Sequence, residues 1–338
     1  MSGPASGVSD APRVGIVLRE QDMSEWRGRL GELTAAVATA ELDHVAVGDH
    51  ISFAGGHGVD GLTQAAALLA ADPAIRVQTA VYLLVLRHPA VIARQLATIS
   101  LLAPGRFVFG VGLGGDDRRE LELCGIDPRT RGARMNEALE CLRRLATGEE
   151  VEFRGRFFEL DRASIRPAPQ PSIPVLVGGR SDAALERVAR SGEGWIALWV
   201  SPRRFAAACE AIKAGAVLAG RGGCEWNHVL QLWVGLASTN GAARRRVRDA
   251  MEAAYGLPFE RFERYTPCGS PADVAAWLEP YVEAGCRCFN FVAEAGGLEQ
   301  AIAAVGEVKK ALAPQRTAMP PSTLRTWPVT KLLPGLSR

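Results

Sequence analysis

The residues able to do chemistry in this chain are few and sit in recognisable places. Asp49-His50 puts a carboxylate beside an imidazole at the end of an apolar run, a pairing suited to general acid/base work. Gly178-Gly179-Arg180-Ser181 follows another apolar run and opens a helical stretch. Two glycines leave backbone N–H groups open, the helix adds a positive dipole end, and Arg and Ser add donors, which together describe an anion or phosphate cradle. The plain alternative is a tight turn with Ser181 as helix N-cap. Gly110, Gly112 and Gly115 satisfy G-x-G-x-x-G, but they follow the fourth strand rather than opening a βαβ unit. No acidic residue closes a strand about 20 positions on, so a dinucleotide fingerprint is disfavoured. Glycines there would equally let a flat ligand approach the backbone. His44 starts the strand that His50 ends, so it belongs to the opposite face. His57 and His228 have no evident partner, and His88 anchors the turn before Pro89. Arg118, Arg119, Arg129, Arg131 and Arg134 form a basic cluster, either a solvated face or a receiver for an acidic ligand.

Something must hold these groups together, and the elements that could do so recur. The 338 residues are 48% hydrophobic and 22% charged, ample for a sizeable core. A net charge of +2 gives no reason to expect a nucleic-acid or membrane partner. Only four of the 39 basic residues are lysine, a skew that fits a GC-rich genome better than a function. The seven cysteines show no CxxC, and with five scattered histidines they make neither a disulfide framework nor a zinc ribbon. Cys286 and Cys288, two apart on an expected strand, should face the same way as small apolar fillers. No apolar stretch approaches ~18 residues, and Met1 to Pro12 lacks an apolar h-region, so a cytoplasmic soluble protein is expected.

Expected strands are Val14–Leu18, His44–Gly48, Ile75–Leu86, Arg106–Leu113, Val175–Val177, Gly194–Leu198, Val229–Ala237 and Arg287–Val292. Helices fall between them, the first from Ser24, as N-cap, to Ala40. Eight alternating strand–helix units imply a parallel sheet, and in a chain of this length a (β/α)8 TIM barrel with insertions in the βα loops. The alternative is a doubly wound sheet with its ligand at a switch point. The division expected is an N-terminal extension at 1–12 read as disordered, a barrel at 13–313 and an irregular tail at 314–338. A hairpin around Val151–Leu160 and a helix at Pro271–Ala284 are insertions. In a barrel, function belongs to the C-terminal strand ends.

Several spaced motifs, in order, resemble the bacterial-luciferase-like superfamily. They are Gln78-Thr79-Ala80-Val81 through Arg87-His88-Pro89, Pro104-Gly105-Arg106-Phe107 into Gly110-Val111-Gly112-Leu113-Gly114, and Glu152 to Phe158. Ile173-Pro174-Val175 into Gly178-Gly179-Arg180-Ser181 and Gly192-Glu193-Gly194-Trp195-Ile196 complete the set. The resemblance runs from Val14 to about Leu312. It implies a barrel that binds coenzyme F420 or FMN across its mouth, phosphates near Gly178–Ser181, and a non-prolyl cis peptide at Ala80–Val81 behind the ring. The cleft would be lined by Asp49, Ala80, Val81, Gly112 and Gly114.

Asp49-His50 is similar to the pair at the end of strand two in F420-dependent sugar-phosphate dehydrogenases. That similarity implies His50 as acid/base beside the hydride-transferring carbon, with Asp49 positioning ring or substrate. Those enzymes carry a Glu where this chain has Gly115, and no match to their substrate-phosphate Lys and Arg is found. Asp116 and Asp117 lie close by in sequence as open candidates for its place. The departure favours reduction of an activated C=C or C=N bond over alcohol oxidation. The alternatives are an FMN-dependent two-component monooxygenase, or a non-catalytic flavin-binding barrel. A small-molecule substrate, no metal and a homodimer complete the expectation.

Overall fold

A computed structural model describes residues 11–114 and 117–313, the side chain of Met23 excepted. The expected tail and most of the N-terminal extension lie outside the described residues, as do Gly115 and Asp116. In chain order the strands are β1 (Arg13–Leu18), β2 (His44–Val47), β3 (Val77–Thr79), β4 (Phe107–Val111), β5 (Val151–Arg154) and β6 (Glu159–Ala163). There follow β7 (Val175–Gly178), β8 (Gly194–Leu198), β9 (Val229–Leu236), β10 (Cys268–Gly269) and β11 (Cys288–Glu294).

Eight of them pair in parallel in the order β1-β2-β3-β4-β7-β8-β9-β11, and β11 returns to β1, so the sheet closes on itself. This is the (β/α)8 barrel that the alternation implies, and the doubly wound alternative falls with it. Strand residues alternate between two environments. Ile16, Val45, Val77, Phe109, Val177 and Phe291 pack outward under the helices, whereas Val17, Ala46, Leu176, Ile196, Trp233 and Val292 fill the interior.

The insertions fall where the sequence places them. β5 and β6 form an antiparallel hairpin with a bulge. Its turn is held by Glu137, whose carboxylate accepts from the amides of Arg156, Phe157 and Phe158. Helix Pro271–Glu283 begins with a capping box on Ser270 and Asp273. At the N-terminal end of the barrel, His44 Nε2 meets Asn290 Oδ1 at 2.6 Å. Burial pushes the His44 ring below its ordinary pKa. Gly15 is required there, because a Cβ would stand 2.3 Å from the His44 ring.

Three expectations need correction. Ile75–Leu86 is not one strand. Regular pairing ends at Thr79, a cis Ala80–Val81 peptide follows, and Leu84–Leu86 is a 3-10 turn. Ser24–Ala40 is not one helix and Ser24 is no cap. Helices Glu20–Glu25 and Leu30–Thr39 are separated at Trp26–Arg29, where Gly28 takes a φ of +73°. Cys286 and Cys288 do not share a side. Cys286 precedes the strand and joins the outer core, while Cys288 faces the interior. Both are buried, as small apolar fillers should be.

Candidate active site

The C-terminal strand ends gather the residues singled out from the sequence, beginning with Asp49. Just past β2 its carboxylate is 1% exposed and receives four hydrogen bonds. Oδ1 accepts from the Gly61 amide at 3.0 Å and from Arg87 Nη2 at 2.9 Å. Oδ2 accepts from the Leu83 amide at 2.8 Å and from Arg87 Nη1. Burial pushes this carboxyl upward, and the Arg87 fork and two amides oppose that. Arg87 also pairs with Asp60 at 3.0 Å and lies 4.3 Å from the centre of the Tyr82 ring. Asp49 is thus a fully engaged clamp on the segment after β3. Arg87, which the sequence shows only as part of a motif, is the other jaw.

That segment is the bulge at Ala80–Val81, with the cis peptide the family resemblance implies. The Ala80 amide donates to Val47 O and the Tyr82 amide to Gly110 O, both at 2.8 Å. Gly112 N–H returns a bond to Tyr82 O at 2.9 Å. The glycines of β4 serve this fit. A Cβ on Gly110 would stand 2.0 Å from Thr79 O, and one on Gly112 would stand 2.4 Å from Val81 Cγ2. A Cβ on Gly178 would reach Val81 Cγ1 at 3.1 Å. The chain's own bulge therefore uses the room that the sequence leaves open for a flat ligand. What results is a half-buried Val81 bedded between Gly112 and Gly178. Gly114, at φ +64°, turns the chain away beside Leu83.

Past β7, Gly179 has a φ of +136°, and a Cβ would stand 2.7 Å from that of Ala184. Ser181 caps helix Asp182–Ser191, its side chain accepting from the Ala184 amide at 3.3 Å. Ser181 is thus an N-cap, and the ten-residue helix presents its positive end to the mouth. Asp182 beside it pairs with Arg204 at 2.9 Å. Arg180 is exposed, lies 5.2 Å over the Trp199 ring, and is in no ion pair among the described residues.

Opposite the bulge, the ends of β8 and β9 carry an aromatic wall. Trp199 lies 4.6 Å from Phe262 and 5.4 Å from Tyr255, and Trp233 donates to Tyr255 Oη at 3.0 Å. Trp199 has a φ of +53°, and its indole N–H is buried without a hydrogen-bond partner among the described residues. A bulky residue in that backbone region is uncommon and marks a position worth a functional question. Arg19, at the end of β1, is held by Asp22 and Glu294 and lies over Trp233.

His50 comes next to Asp49, its side chain 40% exposed and its ring 4.5 Å from Phe53. Its Nδ1 lies 3.2 Å from Oε2 of Glu120, a residue on helix Arg118–Leu123. Sequence reasoning missed Glu120, because nothing in the spacing of 70 residues ties it to His50. Asp117 does not meet His50 in this way. It caps the helix through the Arg119 amide and accepts from Ala54 N–H at 3.3 Å.

The remaining histidines, and three arginines of the basic cluster, have local partners. His57, expected without a partner, faces Glu20 at 3.4 Å. His228 accepts from the Trp195 amide at 3.2 Å and stacks on Trp226. His88 caps its helix through the Ala90 amide, as expected. Arg129 pairs with Asp127, Arg131 donates to Pro128 O, and Arg134 donates to Val85 O over the Phe158 ring. Among the described residues no three His, Cys, Asp or Glu converge as metal ligands, and no helix is long and apolar enough to cross a membrane.

Comparison with known proteins agrees with this architecture. An uncharacterised protein of Mycobacterium tuberculosis is 39% identical over 131 residues, 39% of this chain and 45% of that protein, so the match spans less than half of the relative. An F420-dependent glucose-6-phosphate dehydrogenase of Rhodococcus hoagii is 28% identical over 294 residues, 78% of this chain and 86% of that one. An F420-dependent secondary alcohol dehydrogenase, solved with an F420–acetone adduct, superposes with a TM-score of 0.78 at 19% identity. It covers 89% of this chain and 99% of that one, which speaks for the fold. The model of the luciferase-like monooxygenases matches residues 16–261, a span that takes in the Asp49–Arg87 clamp, the bulge and the Gly178–Ser181 turn. This chain belongs to the luciferase-like monooxygenase family.

Proposed function

We propose that this chain is an oxidoreductase that uses coenzyme F420 to move a hydride to or from a small organic substrate, with His50 exchanging the accompanying proton. The observation that carries the reading is the placing of His50. It lies in the loop just past β2, the strand beside the bulge, with one ring nitrogen held by a carboxylate and the ring partly exposed at the mouth. The F420-dependent relative matched over 78% of this chain supports the choice of cofactor.

The residues present fit such a group. Val81, bedded between Gly112 and Gly178, offers a flat apolar support, and Ala80, Gly114 and the Asp49 clamp hold that support in place. Gly179, Arg180 and Ser181 offer N–H groups, a guanidinium and a hydroxyl to an anionic tail. The orphaned Trp199 N–H, on the facing arc, is a donor left for the substrate. When bound, F420 supplies a two-electron carrier that gives or takes a hydride at a ring carbon. His50 then donates or accepts one proton at the substrate atom left charged by that transfer, and the aromatic wall excludes water.

The reading stops short of a sugar phosphate. The β8–β9 rim presents indole, phenol and phenyl rings, and Arg19 there is already paired with Asp22 and Glu294. Reduction of an activated C=C or C=N bond suits this wall better than oxidation of a sugar. The test is titration of the apo-protein with F420 and with FMN, followed by fluorescence. Tight binding of F420 with none of FMN is expected. The reverse would replace this reading with an FMN-dependent two-component monooxygenase.

A further inference from the structure

Glu120 is a charged residue buried to 2% exposure, next to the mouth and beyond the motif that defines the family's acid/base pair. Three donors surround it. Oε1 accepts from the Ile51 amide at 2.5 Å and the Ser52 amide at 3.2 Å, and Oε2 faces His50 Nδ1 at 3.2 Å. Burial pushes its pKa up, but the His50 bond and the two amides outweigh that and hold it below the ordinary value, so it is an anion at neutral pH. An anionic carboxylate only accepts hydrogen bonds. The nitrogen facing it must therefore be N–H. Nε2 is left as the ring nitrogen without a protein partner among the described residues.

We propose that Glu120 is the positioning residue of His50, fixing the ring proton on Nδ1 so that Nε2 is the nitrogen that exchanges protons at the mouth. The two amides make the arrangement one-directional. They engage Oε1, so the carboxylate cannot turn away from the ring without leaving two N–H groups of the His50 loop unpaired. Asp117 fastens the same loop at Ala54, which couples the β2 loop to helix Arg118–Leu123 at two points. A neutral imidazole held in this way has its lone pair on Nε2 and serves as a base. The imidazolium keeps the same contact and serves as an acid. A carboxylate that orients an imidazole in this manner acts through tautomer and orientation without itself taking the proton. The proposal rests on the reading of His50 given above, but its test does not.

The same geometry defines the decisive substitution. In Glu120→Gln the carboxamide oxygen stays with the Ile51 and Ser52 amides, which turns its NH2 toward Nδ1. Nδ1 must then accept, and the neutral ring takes the Nε2–H form. Side-chain 15N spectra of the apo full-length chain, with His50→Gln used to assign the resonance, read this directly. The expected wild-type spectrum has a protonated-type Nδ1 and an unprotonated-type Nε2, and Glu120→Gln exchanges the two. A wild-type ring protonated on Nε2 overturns the proposal, as does a variant that keeps the wild-type pattern. The wild-type spectrum alone suffices to refute it should the variant fail to fold. In any reaction the wild type catalyses with F420, turnover of Glu120→Gln should fall by ~10²–10⁴-fold at unchanged F420 affinity. Exchange of tautomer with full turnover would leave Glu120 as the orienting group and end the assignment of acid/base chemistry to His50.

Discussion

Replacing Asp49 by Asn tests the clamp beneath the bulge with almost no change of shape. Each carboxylate oxygen accepts once from a backbone amide and once from Arg87. In Asp49→Asn one of those oxygens becomes NH2, and whichever way the amide is turned it faces two donors. One backbone N–H is then buried without a partner, at about 1–3 kcal/mol. The Arg87 guanidinium, 16% exposed, also loses its buried counter-charge. Breaking a buried pair costs about 3–5 kcal/mol when nothing remains. Here Asp60, 38% exposed, still holds Nη2, and the Tyr82 face remains beneath the guanidinium. The low end of that range applies, about 3 kcal/mol.

For a domain of this size, ~2 °C per kcal/mol translates that loss into a Tm lower by about 6 °C. Calorimetry of the wild type and the variant reads it. Asp60→Asn is the control, since Asn is as good an N-cap as Asp and the Asp49 fork survives, so its Tm should fall by no more than about 2 °C. A drop below 1 °C in Asp49→Asn would show that the four hydrogen bonds do not constrain the segment, and the clamp would have to be abandoned.

Gly110→Ala should be destabilised by more than the ~1–3 kcal/mol of ordinary overpacking, because its Cβ would stand 2.0 Å from backbone oxygen that cannot swing aside; a normal denaturation midpoint would contradict the packing of the bulge. Arg180→Ala should weaken F420 binding by about 1.5–3 kcal/mol, the worth of a charge-assisted contact, and an unchanged dissociation constant removes Arg180 from the site. His50→Ala should lose ~10²–10⁴-fold in turnover with little change in cofactor affinity, whereas a ring that only packs would show the opposite split. His228 is held to about 4 by burial and, less, by Lys213, so its neutral form favours the fold. That stability is complete above pH 6.5 and is lost as pH falls toward 4, about 3 kcal/mol in all. Equal pH slopes for His228→Gln and wild type over that window would refute it.

The closed eight-strand sheet was legible because buried parallel strands read as short apolar runs, and the insertions carry turn and proline signals of their own. What failed to show were places where the chain departs from its period. Ile75–Leu86 stays apolar and β-prone through Tyr82 and Leu83, so nothing in hydrophobicity marks the end of pairing at Thr79. Local pattern cannot register that Gly110 and Gly112, 30 residues on, make room for a bulge there. The split at Trp26–Arg29 is hidden for a similar reason, since the apolar spacing continues across it. Glu120 shows the limit most sharply: it lies in a short charged stretch, Arg118-Arg119-Glu120, that reads as solvent-facing, yet it is among the most buried charges of the described residues.

The bulge after β3 and Glu120 after β4 lie on one arc of the mouth, and that placing has a physical reason. β2, β3, β4 and β7 are neighbours in the ring, and they carry the Asp49 clamp, the bulge, the glycines it needs and the Gly178–Ser181 turn. Each depends on another: Val81 lies against glycines of two further strands, and Leu83 hangs from a carboxylate of β2. The arc is shaped by backbone, which side-chain substitution cannot easily adapt. The facing arc of β8, β9, β11 and β1 is built from side chains: Trp199, Trp233, Glu294 and Arg19. A ligand common to a family of differing substrates belongs on the first arc and the variable substrate on the second. The proposed assignment of ring to the bulge and of substrate to the aromatic wall follows that division. It also sets where specificity should be altered. Trp199→Ala should widen the range of substrates accepted by the enzyme and leave the F420 dissociation constant within about threefold. A loss of F420 binding well beyond that would place the indole under the cofactor instead and reverse the two arcs.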